Sequence, residues 1–527
     1  MTERSIPVQS EVTAGNDSIE KPERVAPQSG LKPRAVVGDS NDAREAVPIL
    51  LPNRNLPALF GDEVVVFQSE SGRACILRQD DRRLDVLVIG TKSCDAFLRR
   101  LARRHARYLT GNDLRELNEC LTAQAEVSGD LRVVDYRIAP IDGGFEIDLG
   151  DGEYVRVRVT ANEVSIITDG SERLFFRTST MRALPVPAEV GDLKRLGGYL
   201  NLGEPDRVLL IGWITYTLAH AKRPTTNFLI LLLIGDQGVG KSFLCYIIQM
   251  LIDPSGIRHR SFPRTAQDLA IAAQAAHILV YDNLRDVVPR GLSDIMCMSA
   301  TGGAFTTRRL YSNDEQVVLS LHVALLLNGI APSLSEPDLA QRSLPLTLRQ
   351  LDEGERKDEE ALAREFEADR PIIFHGLLDL IAKILEHLPT VEVTNPERML
   401  GFSRWLAAME KADGVPAGVY QAQYSSALNA GMLESLESNP LATAIMDLVS
   451  GDKDWWTGTP AELLEALDYR VNRRTLYSKD WPHNAIALSR RLQVLKPALR
   501  RQGIDISWSR GRERRITISL LGGASHD

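Results

Sequence analysis

A chain of 527 residues, 44 % of them hydrophobic, is long enough for roughly three or four domains with ordinary cores. Its formal net charge of -8 excludes a protein that coats nucleic acid with its whole surface, and its longest apolar runs, 208–219 and 228–234, are too short to cross a bilayer. The expected setting is the cytoplasm, with no membrane partner. Five cysteines lie far apart without a C-x-x-C pair, which argues against a disulfide framework or a zinc site.

Residues 1–55 are rich in Pro, Ser, Asn, Glu and Arg, show no apolar period, and read as a disordered arm. From 56 to 190, short β-type runs such as EVVVFQ, ACILR and LDVLVIG surround two helical segments, 92–109 and 112–127, and predict an α+β domain. Helical spacing sets Arg99, Arg100, Arg103, Arg104 and Arg107 opposite Phe97, Leu98, Leu101 and Tyr108; that basic face either meets nucleic acid or is solvated. Asp142, Glu146, Asp148 and Asp151 lie near hairpin-type turns and read as turn chemistry.

A nucleotide-binding domain is expected over 191–350. Residues 193–221 predict helix packed beneath it, and the stretch NFLILLLIGDQGVGKSFLC, Asn227 to Cys245, is its centre. Seven apolar residues lead into Gly235, Asp236, Gln237, Gly238, Val239, Gly240, Lys241 and Ser242, and a helical pattern follows: the strand, loop and helix order of a phosphate-binding loop. Glycines let backbone N–H groups turn toward phosphate oxygens, and the following helix adds its positive end. Lys241 is expected to reach the β and γ phosphates of ATP, with the Ser242 hydroxyl holding Mg²⁺.

The strand HILVYDN, 277–283, ends in Asp282 and is expected beside the loop strand, so that Asp282 joins Ser242 in the metal shell. Asn283 follows, where a glutamate would polarise the attacking water; either its amide orients water or Asp286 reaches in. Asn328 ends the next strand, LHVALLLNGI, and reads as a γ-phosphate sensor or as a turn-forming Asn-Gly. Between these strands, FTTRRLYS and QVVLSL predict a β-hairpin that carries Arg308, Arg309 and Tyr311 near its tip. Arginine pairs phosphate and tyrosine stacks on bases, so the tip suits single-stranded DNA; intersubunit contact is the other reading. Arg342, in PDLAQRSLPLTL, is either a surface ion pair or an arginine finger for a neighbouring subunit's ATP.

Taken in order, DQGVGKS, VYDN, ATGGAFTTRRLY, LLNGI and DLAQRSL resemble the ATPase part of phage- and mobile-element-type primase-helicases, a group similar to superfamily three helicases within the AAA+ class. The resemblance covers about 193–389 well. It implies a homo-oligomeric ring, expected as a hexamer, with ATP between subunits and the hairpin of Arg308 and Arg309 lining a central pore. It also implies Arg342 as the trans-acting arginine and Asn328 as the sensor.

A helical domain is expected over 351–440, beginning with two helices in 352–388, of which the second starts at 372. The segment 441–527 predicts three helices and a hairpin, the order of a winged helix. Between 485 and 518 nine basic residues face two acidic ones, which favours DNA through Arg490 and Arg491 on a helix and Arg510, Arg512, Arg514 and Arg515 on the wing, a solvated basic face being the alternative. The fold class expected is multidomain α/β: a P-loop AAA+ type parallel-sheet core with an N-terminal α+β domain, a helical bundle and a C-terminal winged helix. The function expected is an ATP- and Mg²⁺-dependent DNA motor, a replicative helicase that moves on single-stranded DNA and works with a separate primase or other replication proteins. The alternative is an ATP-controlled DNA-binding assembly factor, such as an initiator, loader or defence switch, without unwinding.

Overall fold

The computed structural model describes residues 64–521 apart from 81–82, 105, 169–170, 285–287, 309–315, 330–333, 335, 352–357, 451–453, 479–480 and 510–513. The expected disordered arm, 1–55, lies outside the described residues, as does Asp286. The described chain is α/β, with several separate sheets and many helices. Among the described residues no helix is long and apolar enough to cross a membrane.

The first sheet joins β1 (Val64–Ser69), β2 (Ala74–Asp80), β3 (Arg83–Val88) and β4 (Leu131–Arg132) in the order β3-β2-β1-β4. Helices α1 (Lys92–Arg104) and α2 (Gly111–Ser128) cover it, because Phe97, Leu98 and Leu101 recur at helical spacing and meet Leu117, Leu121 and Ile76 in one core. Helix α1 stops five residues short of the expected end. Ala106 takes a left-handed φ of 54°, and the Arg107 N–H donates to the Ala102 carbonyl at 2.9 Å, a helix-ending turn that a purely periodic reading cannot see. Leu109 consequently enters the core at 2 % exposure, whereas Tyr108, expected on the apolar side, stands out at 74 %.

Strand β5 (Val134–Asp135) pairs with β10 (Leu174–Phe175), and β6 (Ile138–Ile141), β7 (Gly144–Asp148), β8 (Arg156–Thr160) and β9 (Glu163–Ile167) form an antiparallel meander. Glu146 and Asp148 are strand residues rather than turn residues. Both are buried: Glu146 accepts from Arg158 at 2.6 Å and from Ser171 at 2.6 Å, and Asp148 accepts from Arg177 at 2.9 Å. Their partners lie 12 to 29 residues away, beyond what local spacing reveals. The apolar residues of this meander, Ile138, Phe145, Ile147, Val157 and Val159, share a single core with the helices described next.

That core takes in α3 (Glu204–Ala219), α4 (Lys241–Ile252) and one side of β11 (Ile230–Ile234), β12 (Ile278–Leu284), β15 (Ala324–Gly329) and β16 (Ser343–Thr347), while a second core on the other side of these strands holds α5 (Ala266–Ala273), α6 (Arg290–Ala300), the hairpin β13 (Ala304–Arg308) and β14 (Gln316–Ser320), and α7 (Pro337–Ala340). Strands β12, β15, β11 and β16 form a parallel sheet in that order. Such strands are buried on both faces, which is why ILLLI and ALLLNG read as continuous apolar runs. The order corrects one expectation: β15 lies between β11 and β12, so the strand that carries Asp282 is two places from the strand that leads into the glycine loop.

One helix, α8 (Glu359–His387), replaces the two expected, and runs through Pro371 without a break. A distant segment docks along this stretch: Ala188 N–H donates to Pro371 O at 3.2 Å and Asp192 N–H to Ile372 O at 3.1 Å, while the helical bond that Pro371 cannot make is the one to the Glu367 carbonyl. Helix α9 (Leu400–Asp413) buries Phe402, Trp405 and Leu406 against α3, each contributing about 1.5–3 kcal/mol relative to exposure. Helices α10 (Val419–Glu437) and α11 (Pro440–Val449) lead into β17 (Trp455–Gly458), α12 (Pro460–Asp468), α13 (Arg473–Leu476), α14 (Ala485–Arg501), β18 (Ile504–Trp508) and β19 (Ile516–Leu520). These last three strands form an antiparallel sheet in the order β17-β19-β18, so one strand, β17, joins the expected hairpin.

Candidate active site

The loop between β11 and α4 leaves the C-terminal edge of the parallel sheet. Gly238 and Gly240 adopt φ of 81° and 89°, left-handed values that side chains disfavour, and these bends turn the backbone of 236–240 around the start of α4. The Lys241 ammonium lies over the loop, donating to the Gly235 and Asp236 carbonyls at 2.6 Å each. Desolvation pulls its pKa below the usual lysine range, while Asp236 and Asp282 oppose that shift. Ser242, the second residue of α4, donates through Oγ to Asp282 Oδ2 at 3.1 Å.

Asp282 reaches Ser242 across the intervening strand because β12 is bulged. Tyr281 pairs with Leu327 and Leu284 with Gly329, so two residues of β12, Asp282 and Asn283, face the single residue Asn328. Asn283 takes a φ of 66°, which asparagine tolerates better than most side chains. Bulges of this kind re-aim side chains at strand ends. Here the bulge presents the Asp282 carboxylate to α4 and the Asn283 N–H to Asn328 Oδ1 at 3.0 Å. Asn328 is buried, and its amide Nδ2 also lies 3.1 Å from the Cys245 sulfur on α4. Burial pushes the Cys245 thiol up to about 12, so it stays a neutral partner. Asn328 thus braces the loop helix against the bulge.

Sequence reasoning missed several neighbours. Asn201 donates to Val239 O at 3.1 Å and to Arg349 O at 2.7 Å, Gln350 donates to Asp236 Oδ2 at 2.8 Å, and His259 Nδ1 stands 3.7 Å from Asp282 Oδ2. Each arrives from a distant part of the chain, and no local motif announces it. Chemically, the set offers bent N–H groups and an ammonium for phosphate oxygens, and a hydroxyl and carboxylate, hard oxygen ligands, for Mg²⁺.

Arg342 lies elsewhere. It immediately precedes β16, and the Ile230 N–H donates to its carbonyl at 2.9 Å, so it sits at the N-terminal edge of the sheet. A five-residue strand is about 16 Å long, which removes Arg342 from the glycine loop of its own chain. Its guanidinium pairs with Asp338, which Arg398 also holds at 2.6 Å.

Of the expected nucleic-acid residues, Arg309, Tyr311, Arg510 and Arg512 lie outside the described residues, and Arg308 is placed only as the end of β13, paired with Gln316. Arg490 is exposed on α14, Arg491 is half-buried beside it, and Arg514 and Arg515 are exposed where β19 begins. Three other basic residues of this module are engaged internally: Lys496 lies over Trp508 at 5.1 Å, Arg500 stands 3.8 Å from Asp505, and Arg501 pairs with Glu397. A patch that the sequence reading passed over lies between α12 and α14. Tyr469 and Tyr477 are exposed at 83 % and 85 %, with Arg470, Arg473 and Arg474 exposed between them. The run YRVNRRTLY, three arginines without an acid, was the available signal.

Two stretches match models of one family. Residues 195–430 match the model described as actinomycete integrative conjugative element replication protein, and residues 441–525 match the AICE RepA C-terminal domain; together they take up more than half of the chain. No curated protein matches. Among solved structures, the A-form apo structure of the NrS-1 C-terminal region is 12 % identical, with a TM-score of 0.31 over 87 % of this chain and 96 % of that one. A further apo structure of that region gives 12 % and 0.33 over the same shares, and a JCV helicase gives 12 % and 0.18 over 45 % of this chain and 70 % of its own. These structural likenesses are distant.

Proposed function

The chain belongs to the family of actinomycete integrative conjugative element replication proteins, and on that premise we propose that it is an ATP- and Mg²⁺-dependent replicative helicase of such an element. In this reading a homo-oligomeric ring in the bacterial cytoplasm hydrolyses ATP between neighbouring subunits and moves on single-stranded DNA. The observation that carries it is the convergence of Lys241, Ser242 and Asp282 at the C-terminal edge of a parallel sheet.

The phosphates of ATP would lie against the N–H groups of 236–240 and the start of α4, with Lys241 countering their charge. Ser242 and Asp282 would hold Mg²⁺, which supplies further positive charge to the phosphate oxygens when bound. Asn328 would report the state of the site to the bulge through the Asn283 backbone. Arg342, remote from its own loop, would serve a neighbour's ATP. The hairpin with Arg308, Arg309 and Tyr311 would follow single-stranded DNA. The C-terminal module, as a winged helix, would grip duplex backbone through Arg490, Arg491, Arg514, Arg515 and the Tyr469–Tyr477 patch.

A second reading, an ATP-controlled assembly factor without unwinding, is favoured by one observation. Position 283 holds an asparagine in a left-handed conformation, and its amide can orient a water molecule but cannot take its proton. ATP turnover with Mg²⁺, with and without single-stranded DNA, separates the two. Turnover that rises with DNA and is lost in Lys241→Ala and in Arg342→Ala supports the motor; tight ATP binding with negligible turnover under both conditions supports the switch.

A further inference from the structure

Four arginines of the N-terminal module have no ionic partner among the described residues. Arg100, Arg103 and Arg104 stand exposed on the last two turns of α1, and Arg107 stands exposed just beyond them. The fifth arginine of the run, Arg99, is used internally: its Nη1 donates to the Leu109 carbonyl at 2.6 Å and fastens the segment after the helix to the helix itself. Together with the left-handed turn at Ala106, this contact fixes where Arg107 and Tyr108 project.

Like charges three and four residues apart on a helix repel. The helix dipole favours cations only within its last turn, which accounts for Arg103 and Arg104 but not for Arg100, a turn earlier, or Arg107, beyond the helix end. The nearest carboxylate on α1, Asp95, accepts from Asn118 at 2.9 Å and stands on another side. A chain of net charge -8 has acids to spare, yet no carboxylate among the described residues forms an ion pair with these four arginines. Tyr108, directly after Arg107, adds an aromatic side chain in a residue 74 % exposed.

We infer that Arg100, Arg103, Arg104 and Arg107, with Tyr108, form a single-stranded nucleic-acid surface on the N-terminal module, separate from the hairpin and the C-terminal module. The guanidinium row follows successive phosphates, and Tyr108 stacks on a base. The unpaired ring selects single strands, since a duplex offers no base face on its outside. The surface does not depend on the ATP site.

The test uses the full chain and a labelled oligo(dT) probe, with binding followed by anisotropy over roughly 50 to 200 mM salt. Arg103→Ala with Arg104→Ala should lower the slope of log Kd against log salt by about 1.4, the value for two phosphate contacts on a single strand. The corresponding Arg→Lys pair should keep the slope. Tyr108→Ala should weaken binding by roughly tenfold while leaving the slope unchanged. Ultraviolet cross-linking of the parent complex should give a nucleotide adduct at Tyr108. Unchanged slope and affinity in both alanine variants, or losses seen only with a duplex probe, would overturn the inference. ATP turnover measured without DNA on the same preparations tests the helicase reading separately, so the two can fail independently.

Discussion

At Asp282 a single backbone irregularity decides which way the carboxylate faces. In an unbroken strand the residues at 282 and 283 would alternate across the sheet; the bulge instead sends the carboxylate to Ser242 and the next N–H to Asn328. Asn283→Gly should preserve the left-handed turn and leave Mg²⁺-dependent ATP binding close to that of the parent. Asn283→Val, which resists a φ of 66°, should straighten the bulge and weaken binding, with a stability loss of about 1–2 kcal/mol. Equal ATP affinity in the two variants, by titration with and without Mg²⁺, would remove the bulge from the account.

Residue-scale electrostatics also set an acid limit. His277 and His322 flank the Phe228 ring, and burial lowers them to about 3 and about 4 from an ordinary value of 6.5. Both are neutral in the fold, whereas the unfolded chain takes up their protons below pH 6.5, so their contribution is intact above that pH and is lost as pH falls toward 4. At pH 5 the loss is on the order of 2 kcal/mol for each. Asp135, raised to about 6 mainly by burial, has the opposite sign between pH 3.8 and 6, and offsets only part of it. The melting temperature should fall between pH 7 and pH 5, and fall less in His277→Gln. A pH-independent midpoint in the parent would refute this.

At the scale of elements, close approach governs. Helix α8 passes the 188–193 segment so tightly that a Cβ on Gly376 would lie 2.6 Å from the Leu193 backbone nitrogen. Helix propensity alone would make Gly376→Ala stabilising by about 1 kcal/mol. Because the obstacle is backbone, overpacking of roughly 1–3 kcal/mol should prevail, and the variant should melt below the parent. A raised midpoint would show that α8 moves freely there. Nearby, Arg137 is fully buried and joins the β6–β9 meander to the end of α4, pairing with Asp253 at 2.9 Å, while Asp253 also accepts from the His277 N–H at 2.7 Å. The meander is thereby tied to the helix that carries Lys241 and to the strand that carries Asp282.

At the scale of the whole molecule, the placement of Arg342 matters most. It lies at the sheet edge away from its own glycine loop, so any service to ATP must come from a neighbouring chain. Arg342→Ala should retain ATP binding and lose turnover. Mixed with Lys241→Ala, it should recover activity, because about a quarter of the interfaces in a random ring join an intact Lys241 site to an intact Arg342. A mixture as inactive as its components would place the arginine's role outside catalysis.

Much of the local structure was legible without coordinates. The glycine loop, the strand that carries Asp282, the hairpin and, apart from β17, the C-terminal strands are written in short-range patterns. What tertiary structure decided involves residues far apart in the chain. The strand order put β15 between β11 and β12, the bulge turned Asp282 toward Ser242, and Arg158 and Arg177 supplied ion-pair partners to two buried carboxylates read as turn acids. One helix runs on through Pro371, with the distant 188–192 segment docked along the same stretch. Periodicity reports which face of an element is apolar. Which element covers that face, and which distant donor meets a buried carboxylate, is settled only when the chain closes on itself and each buried polar group must find a partner.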